Sequence, residues 1–362
     1  TAVDLYILHD NGPNRGGGDF RSASGAGSII YQPEAMHFRG LAMLTNTQPR
    51  GAQRGPGECQ IAAALAPIVD KAARQLGIDR VAIRSMNAPG MDGTIANRTT
   101  GKLGPLTSSR LPEAIAMGAE KFGWASRSQR SGQRNGTKVT GLGVASCYHG
   151  AGSSGFDGLL VIQPDGRVNI HTGAGNLGTY SYAGTSRASA DVLDVPWEQV
   201  TLIRGASNRH LPWSLGQFGS NTSMTMARQA YVSAMDAKTK LQEIAAKDLG
   251  GAPGDYELKD GTVVGNGKSM TFAQAAKRAI ELGGKYDGHE APEDLNKMTA
   301  ASVKALAGTG LVGVAKDSKK KGTTPGLCVA FIEIELDTET GKYDIVKLLN
   351  VGDVGQVLHP QG

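Results

Sequence analysis

Apolar residues recur along the chain with two periods, and these divide it into helical and extended stretches. From Glu58 onward, Ile61, Leu65, Ile68, Val69, Ala72 and Leu76 fall three or four apart, the spacing of one helix face. Pro67 sits inside that run and predicts a kink, and Gly77 suits a left-handed C-cap. Further helices are predicted over 112–122, behind the run Thr107-Ser108-Ser109, and over 181–193, 223–248 and 272–282. Partial alternation over 37–45 predicts a strand. Apolar-rich 159–163 and 167–172 flank Pro164-Asp165-Gly166, a hairpin signal, and a strand is expected over 200–203. A small hairpin is expected over 256–264 around Asp260-Gly261, and a long one from 328–336 and 343–351 around Thr338-Glu339-Thr340-Gly341. Residues 1–30, rich in Gly and Ser, read as irregular, and 126–138 as a linker. Strands, helices and hairpins mixed in this way predict an α+β fold rather than a doubly wound sheet. The pattern changes character near Lys138, which divides the chain into 1–137 and 138–362.

Composition narrows the function classes. The 362 residues are 40% hydrophobic and 20% charged, as in a globular protein of two or three domains. No apolar run approaches the roughly 18 residues of a membrane span. The net charge of +5 is mild, and no aromatic residues interleave with basic ones as in a nucleic-acid binder. The basic run over 316–321 reads as a solvated loop. Cys59, Cys147 and Cys328 are far apart in sequence and form no CxxC pair, which supports neither a zinc site nor a disulfide framework. The compartment, cytoplasmic or periplasmic, is left open. The 51 glycines are about twice the usual share and cluster in discrete loops, as expected for turns around a ligand.

Three such loops each open onto a predicted helix. The first is Thr45-Asn46-Thr47-Gln48-Pro49-Arg50-Gly51-Ala52-Gln53-Arg54-Gly55-Pro56-Gly57-Glu58, in which glycines bracket Arg54. Small residues let a backbone approach closely, helix N–H groups favour an anion, and a guanidinium adds a fork of donors. An ordinary Gly/Pro turn explains the same residues. The second loop, Gly173-Ala174-Gly175-Asn176-Leu177-Gly178, is literally G-x-G-x-x-G, with Glu198 twenty residues beyond it. A dinucleotide reading, NAD or flavin, is weakened because the preceding strand alternates where a buried parallel strand should be almost wholly apolar. The third, Phe218-Gly219-Ser220-Asn221-Thr222-Ser223, offers donors for a ligand or a plain N-cap.

Taken in order, these segments resemble the molybdenum-cofactor subunit of the xanthine dehydrogenase/aldehyde oxidoreductase family, through nearly the whole chain. TNTQPRGAQRGPGE is similar to that family's TNT-P-GA-RG-G-PE signature. RQLGIDRVAIRSMN from Arg74, the segment from Leu111 to Trp124, Gly141 to Ala145, Gly173 to Gly178, Gly219 to Ala230, and Asn350 to Gly355 match further blocks in the family's order and spacing. The resemblance implies an internal segment of a molybdopterin-binding subunit. Its enzyme would oxidise an organic ring or aldehyde with water-derived oxygen. It places Arg54 and Gly55 by the cofactor, with Gly178, Thr179, Gly219, Ser220 and Asn221 as further contacts, and Pro56, Ser146, Cys147 and Phe218 near the substrate. Simple packing at a strand end is the alternative for Ser146 and Cys147. The metal would be held by the cofactor dithiolene and by no protein ligand. The cofactor would be molybdenum-molybdopterin, with a cytosine dinucleotide form as one option, and [2Fe-2S] clusters and FAD would lie on partner chains.

Two departures qualify this. The family carries Gln after the glycine matching Gly178, whereas this chain has Thr179, which keeps non-redox hydration or reductive chemistry as an alternative. The family's catalytic Glu follows the final hairpin, so other chains are expected to complete the subunit at both ends. Glu58, at a helix start, is no substitute for it. A scaffold with a decayed site is the remaining alternative.

Overall fold

In the computed structural model, which describes residues 2–13, 19–152, 156–175, 177–316 and 322–357, the N-terminal stretch is strand and helix rather than loop. Strand β1 (Ala2–Asp10) runs parallel to β2 (Ala35–Met43), joined through helix α1 (Asp19–Tyr31). The expectation of irregular structure over 1–30 failed because the glycines of α1 serve packing. A Cβ on Gly27 would lie 3.3 Å from Leu5 Cδ1 and 3.4 Å from Met36 Cε, so small residues let the helix lie on the two strands. The Gly16-Gly17-Gly18 run falls outside the described residues.

The chain forms two contact units. Unit 1 comprises Thr1–Gly150 and Lys321–Gln356, and unit 2 comprises Ala151–Lys320 and Val357–Gly362. In unit 1, α2 (Glu58–Leu76) runs through Pro67 and ends on Gly77 with φ +66°. Helix α3 (Arg80–Asn87) was not predicted; Asp79 caps it by accepting from Val81 N and Ala82 N. Arg84 of α3 is only 1% exposed, forms an ion pair with Asp70 of α2 at 2.7 Å and donates to the Ala66 carbonyl at 3.2 Å. Strands β3 (Thr94–Ala96) and β4 (Leu103–Pro105) pair antiparallel, followed by α4 (Leu111–Phe122).

The expected linker over 126–138 is instead α5 (Trp124–Arg127), a 3-10 turn and β5 (Arg134–Asn135). Its arginines are tied inward. Arg127 and Arg130 both pair with Glu333, which is 3% exposed, so the segment neutralises a buried carboxylate. Strand β6 (Lys138–Ala151) then enters a sheet of order β15-β14-β6-β5.

Unit 2 holds the sheet β13-β7-β8-β9, from β7 (Asp157–Ile162), β8 (Val168–His171), β9 (Val200–Ile203) and β13 (Leu311–Lys316). The hairpin expected around Pro164-Asp165-Gly166 joins β7 and β8. Strand β8 passes through α6 (Ser181–Leu193) to β9, which is parallel to it. Helix α7 (Ala227–Leu249) lies against this sheet through glycines: a Cβ on Gly158 would come 2.4 Å from the Gln229 carbonyl oxygen, and one on Gly313 2.5 Å from that of Ser233. Around them sits an apolar core that includes Leu160, Ile162, Val168, Leu241 and Ile244. A three-stranded sheet of β10 (Glu257–Lys259), β11 (Thr262–Gly265) and β12 (Lys268–Thr271) leads into α8 (Phe272–Leu282), and α9 (Lys297–Leu306) precedes β13. Strands β14 (Thr324–Asp337) and β15 (Tyr343–Asp353) form the expected long hairpin in unit 1, with a bulge at Glu333/Ile334. No described helix is long and apolar enough to cross a membrane.

Candidate cofactor-binding loops

Two of the three glycine loops meet within unit 2. The loop after β8 is packed against residues 212–217: a Cβ on Gly173 would lie 2.5 Å from Ser214 Cβ, and one on Gly175 3.4 Å from Gln217 Oε1. The first glycine of the G-x-G-x-x-G therefore makes room for protein, not for a ligand, while Gly175 is in ordinary contact with the Gln217 side chain. Asn176 lies outside the described residues. Gly178 differs: its φ is +82° and nothing lies within 4 Å of its Cβ position. Thr179 and Tyr180 beside it are exposed. Beneath this loop Ala174 packs with Phe156 and Met226.

The other loop has an unusual backbone. Gly216, Gly219 and Ser220 have φ of +107°, +59° and +54°. Ser220 tolerates the left-handed region without being glycine, a local strain of the sort found at ligand sites. The Ser220 carbonyl accepts from Gly152 N at 3.1 Å, and Asn221 N donates to the Phe218 carbonyl at 3.3 Å. Nothing lies within 4 Å of the Gly219 Cβ position. Phe218 is 60% exposed and Asn221 2% exposed, so the loop turns one side to solvent and anchors the other.

The anchor leads directly into a π-helical turn, Thr222–Met226, which opens α7. Such turns widen the helix by one residue and recur at functional sites. Gln217, which the sequence did not single out, bridges the loop by donating to Thr222 Oγ1 at 3.0 Å. Further in, His171 at the end of β8 is buried, with Nδ1 at 3.1 Å from the Arg209 and His210 carbonyls. Burial lowers its pKa, which keeps the ring neutral.

Unit 1 holds the remaining predicted residues. The loop after β2 is tied to the end of β1 through Asp10, whose carboxylate accepts from Thr45, the Gly12 N–H and Thr47. These bonds, led by the one from Thr45, hold its pKa down at about 2. Arg54 is exposed, and Gly55 turns the chain into α2 with φ +60°; a Cβ there would meet Cys59 Sγ at 2.6 Å. Pro56 is half-buried beside it. Glu58, 8% exposed, bonds His149 Nδ1, so it is committed to an ion pair; that carboxylate raises the His149 pKa.

Ser146 and Cys147 do not come together. They are neighbours on β6 and point to opposite faces. Ser146 is 2% exposed on the side of Val144 and Tyr148, and its Oγ is buried without a hydrogen-bond partner among the described residues. Cys147 is half-buried beside Cys328 of β14. His149 and Cys328 were missed in sequence. Only their places on β6 and β14 bring them to Glu58 and Cys147.

The unit 2 loops combine exposed glycines at positive φ, a left-handed Ser220 and a π-helical turn at a helix start. A family model described as molybdopterin cofactor-binding domain matches residues 117–362, and a second of the same description matches 1–88. The aldehyde oxidoreductase molybdenum-binding subunit PaoC of Escherichia coli K12 is 28% identical over 364 residues, covering 100% of this chain and 44% of that protein. The putative xanthine dehydrogenase molybdenum-binding subunit XdhA of the same strain is 27% identical, covering 98% and 45%. The structure of quinoline 2-oxidoreductase from Pseudomonas putida 86 superposes with a TM-score of 0.77 at 21% identity, covering 99% of this chain and 46% of that one. The chain thus spans a little under half the length of the relatives it matches.

Proposed function

Since the chain belongs to the molybdopterin cofactor-binding domain family, we propose that it is a cofactor-holding component of a molybdenum hydroxylase or dehydrogenase that oxidises an aldehyde or an organic ring. One observation carries the proposal in this chain's own residues: the loop with the left-handed non-glycine Ser220 opens through a π-helical turn, Thr222–Met226, into α7. Here the backbone amides of Gly219 and Ser220 bind the pterin or its phosphate, Asn221 anchors the turn that presents them, and Gly178 and Thr179 line the approach. Arg54 and Gly55 carry over by resemblance as cofactor contacts, with Pro56, Cys147 and Phe218 toward the substrate. When bound, the cofactor supplies two-electron redox chemistry at a metal held by its own dithiolene. This chain's part is to bind, orient and electrostatically complement it. By resemblance, the electron-accepting [2Fe-2S] and flavin groups would lie on partner chains.

Metal analysis of the assembly that co-purifies with the chain tests this, together with pterin fluorescence after oxidation. Both molybdenum and pterin are expected near stoichiometry, and the absence of both refutes the proposal. Thr179 favours a second reading, water addition without net redox. A short hydroxyl replaces an amide there and reaches a cofactor oxygen only through water. Turnover that requires an electron acceptor excludes it. The dinucleotide alternative loses ground because the space at Gly173 is filled by Ser214.

A further inference from the structure

We propose that Cys147 and Cys328 form a redox-active dithiol that closes into a cross-strand disulfide on reaction with hydrogen peroxide. Scattered in sequence, the two cysteines are placed by the sheet. Positions on β6 and β14 face one another in a fixed antiparallel register. A Cβ on Gly141 would lie 2.9 Å from Ile334 Cγ1, one on Gly143 3.3 Å from Ile332 Cγ2, and one on Gly326 3.5 Å from the His149 carbonyl. At the far end, Thr338 N donates to the Thr137 carbonyl at 2.9 Å. The same register sets Cys147 directly opposite Cys328. Directly opposed residues have Cα atoms about 4.5–5.5 Å apart, inside the range a disulfide spans.

The pair is also asymmetric. The Cys147 thiol donates to the Tyr148 carbonyl at 3.8 Å and faces the Cys328 sulfur. The opposed Cys147 thiol and N–H favour a thiolate at Cys328 and draw its pKa down to about 7, while the neighbouring Cys328 and burial raise Cys147 above the usual thiol range. Each side chain is half-buried, which leaves Cys328 reachable by a small oxidant while Cys147 waits beside it. Cys59 is exposed at the start of α2, donates to the Arg54 carbonyl at 3.9 Å and acts on Cys147 only through its charge.

The chemistry balances without a cofactor. The Cys328 thiolate attacks one peroxide oxygen, the O–O bond breaks, hydroxide leaves, and Cys328 becomes a sulfenic acid. The Cys147 thiol then attacks the Cys328 sulfur and water leaves. Two thiols give up two electrons and two protons, and one peroxide becomes two waters.

The purified assembly containing the full chain is treated with stoichiometric hydrogen peroxide, alkylated and mapped by non-reducing peptide mass spectrometry. A linked pair of peptides carrying Cys147 and Cys328 is expected, lighter by two hydrogens than the sum and released by dithiothreitol, with Cys59 alkylated. In Cys147→Ser, the sulfenic acid has no partner thiol and is trapped by dimedone on Cys328. A Cys59–Cys147 link, full alkylation of all three cysteines after peroxide, or dimedone on Cys147 in Cys328→Ser overturns the proposal. The wild-type map decides even where a serine variant fails to fold.

Discussion

Replacing Gly219 by Ala separates cofactor binding from folding, with Gly158→Ala as its counterpart. At Gly219 the new methyl meets nothing within 4 Å, so the only structural cost is the left-handed backbone at φ +59°. That is about 1–2 kcal/mol for an L-residue. In a unit of this size it lowers the melting temperature by about 2–8 °C. At Gly158 the backbone is unstrained, but the methyl would sit 2.4 Å from the Gln229 carbonyl oxygen and 3.0 Å from Ser233 Cβ. Helix α7 cannot yield there without leaving the sheet, and overpacking of this kind costs about 1–3 kcal/mol. The two variants are thus comparably destabilised.

They part on the cofactor. If the space above Gly219 is where an anionic pterin or phosphate group meets backbone N–H, the methyl forfeits a charge-assisted hydrogen bond worth about 1.5–3 kcal/mol. Release of molybdenum then accelerates on the order of ten- to a hundredfold. The assay is molybdenum retained per folded chain, followed over time after gel filtration, beside a thermal melt. Gly219→Ala is expected to shed metal and Gly158→Ala to keep it. Wild-type retention in folded Gly219→Ala, or equal loss in both, refutes the assignment of the loop.

Three further outcomes are expected. Asp70→Ala strands the buried Arg84 guanidinium and should cost about 3–5 kcal/mol in urea unfolding, most of it recovered in Asp70→Leu/Arg84→Met; a cost below about 1 kcal/mol contradicts the buried-pair account. Glu58 raises the His149 pKa above its unfolded value of about 6.5, so the pair's stabilisation is complete below that pH and is lost as pH rises through the folded value. The gap in melting temperature between wild type and Glu58→Gln should therefore narrow from pH 6 to pH 9, and a widening gap reverses the sign of the argument. Arg54 is exposed, so Arg54→Ala should leave melting unchanged while kcat/KM of the assembly falls at least tenfold, and Arg54→Lys should fall too because an ammonium lacks the planar fork; full activity in Arg54→Ala favours a decayed site.

Elements whose signal is local were legible in the sequence. The hairpin at Pro164-Asp165-Gly166, helix α6 over 181–193, α8 over 272–282 and the Gly77 cap of α2 all follow from turn chemistry or periodicity within a few residues. What failed depended on partners distant in sequence. Helix α1 looked like loop because its Gly and Ser are chosen for contact with Leu5, Met36 and Ile95, not for propensity. The segment around Arg127 and Arg130 looked like linker because its role is set by Glu333, some 200 residues on. Strand β13 was missed because its pairing partner β7 lies about 150 residues earlier.

The same division runs through the functional residues and explains why glycine was the informative type. A glycine in sequence announces only that a Cβ is unwelcome; the fold decides what excludes it. At Gly158, Gly173 and Gly313 the answer is the protein itself, a carbonyl or a serine within 2.5 Å. At Gly178 and Gly219 no protein atom lies within 4 Å of the Cβ position, and both residues have positive φ, features they share with the Gly77 helix cap. Positive φ costs glycine little, so the strained member of these loops is the non-glycine Ser220, at φ +54°. The literal G-x-G-x-x-G therefore misleads in its first glycine, which packs on Ser214, a distinction that spacing alone does not contain.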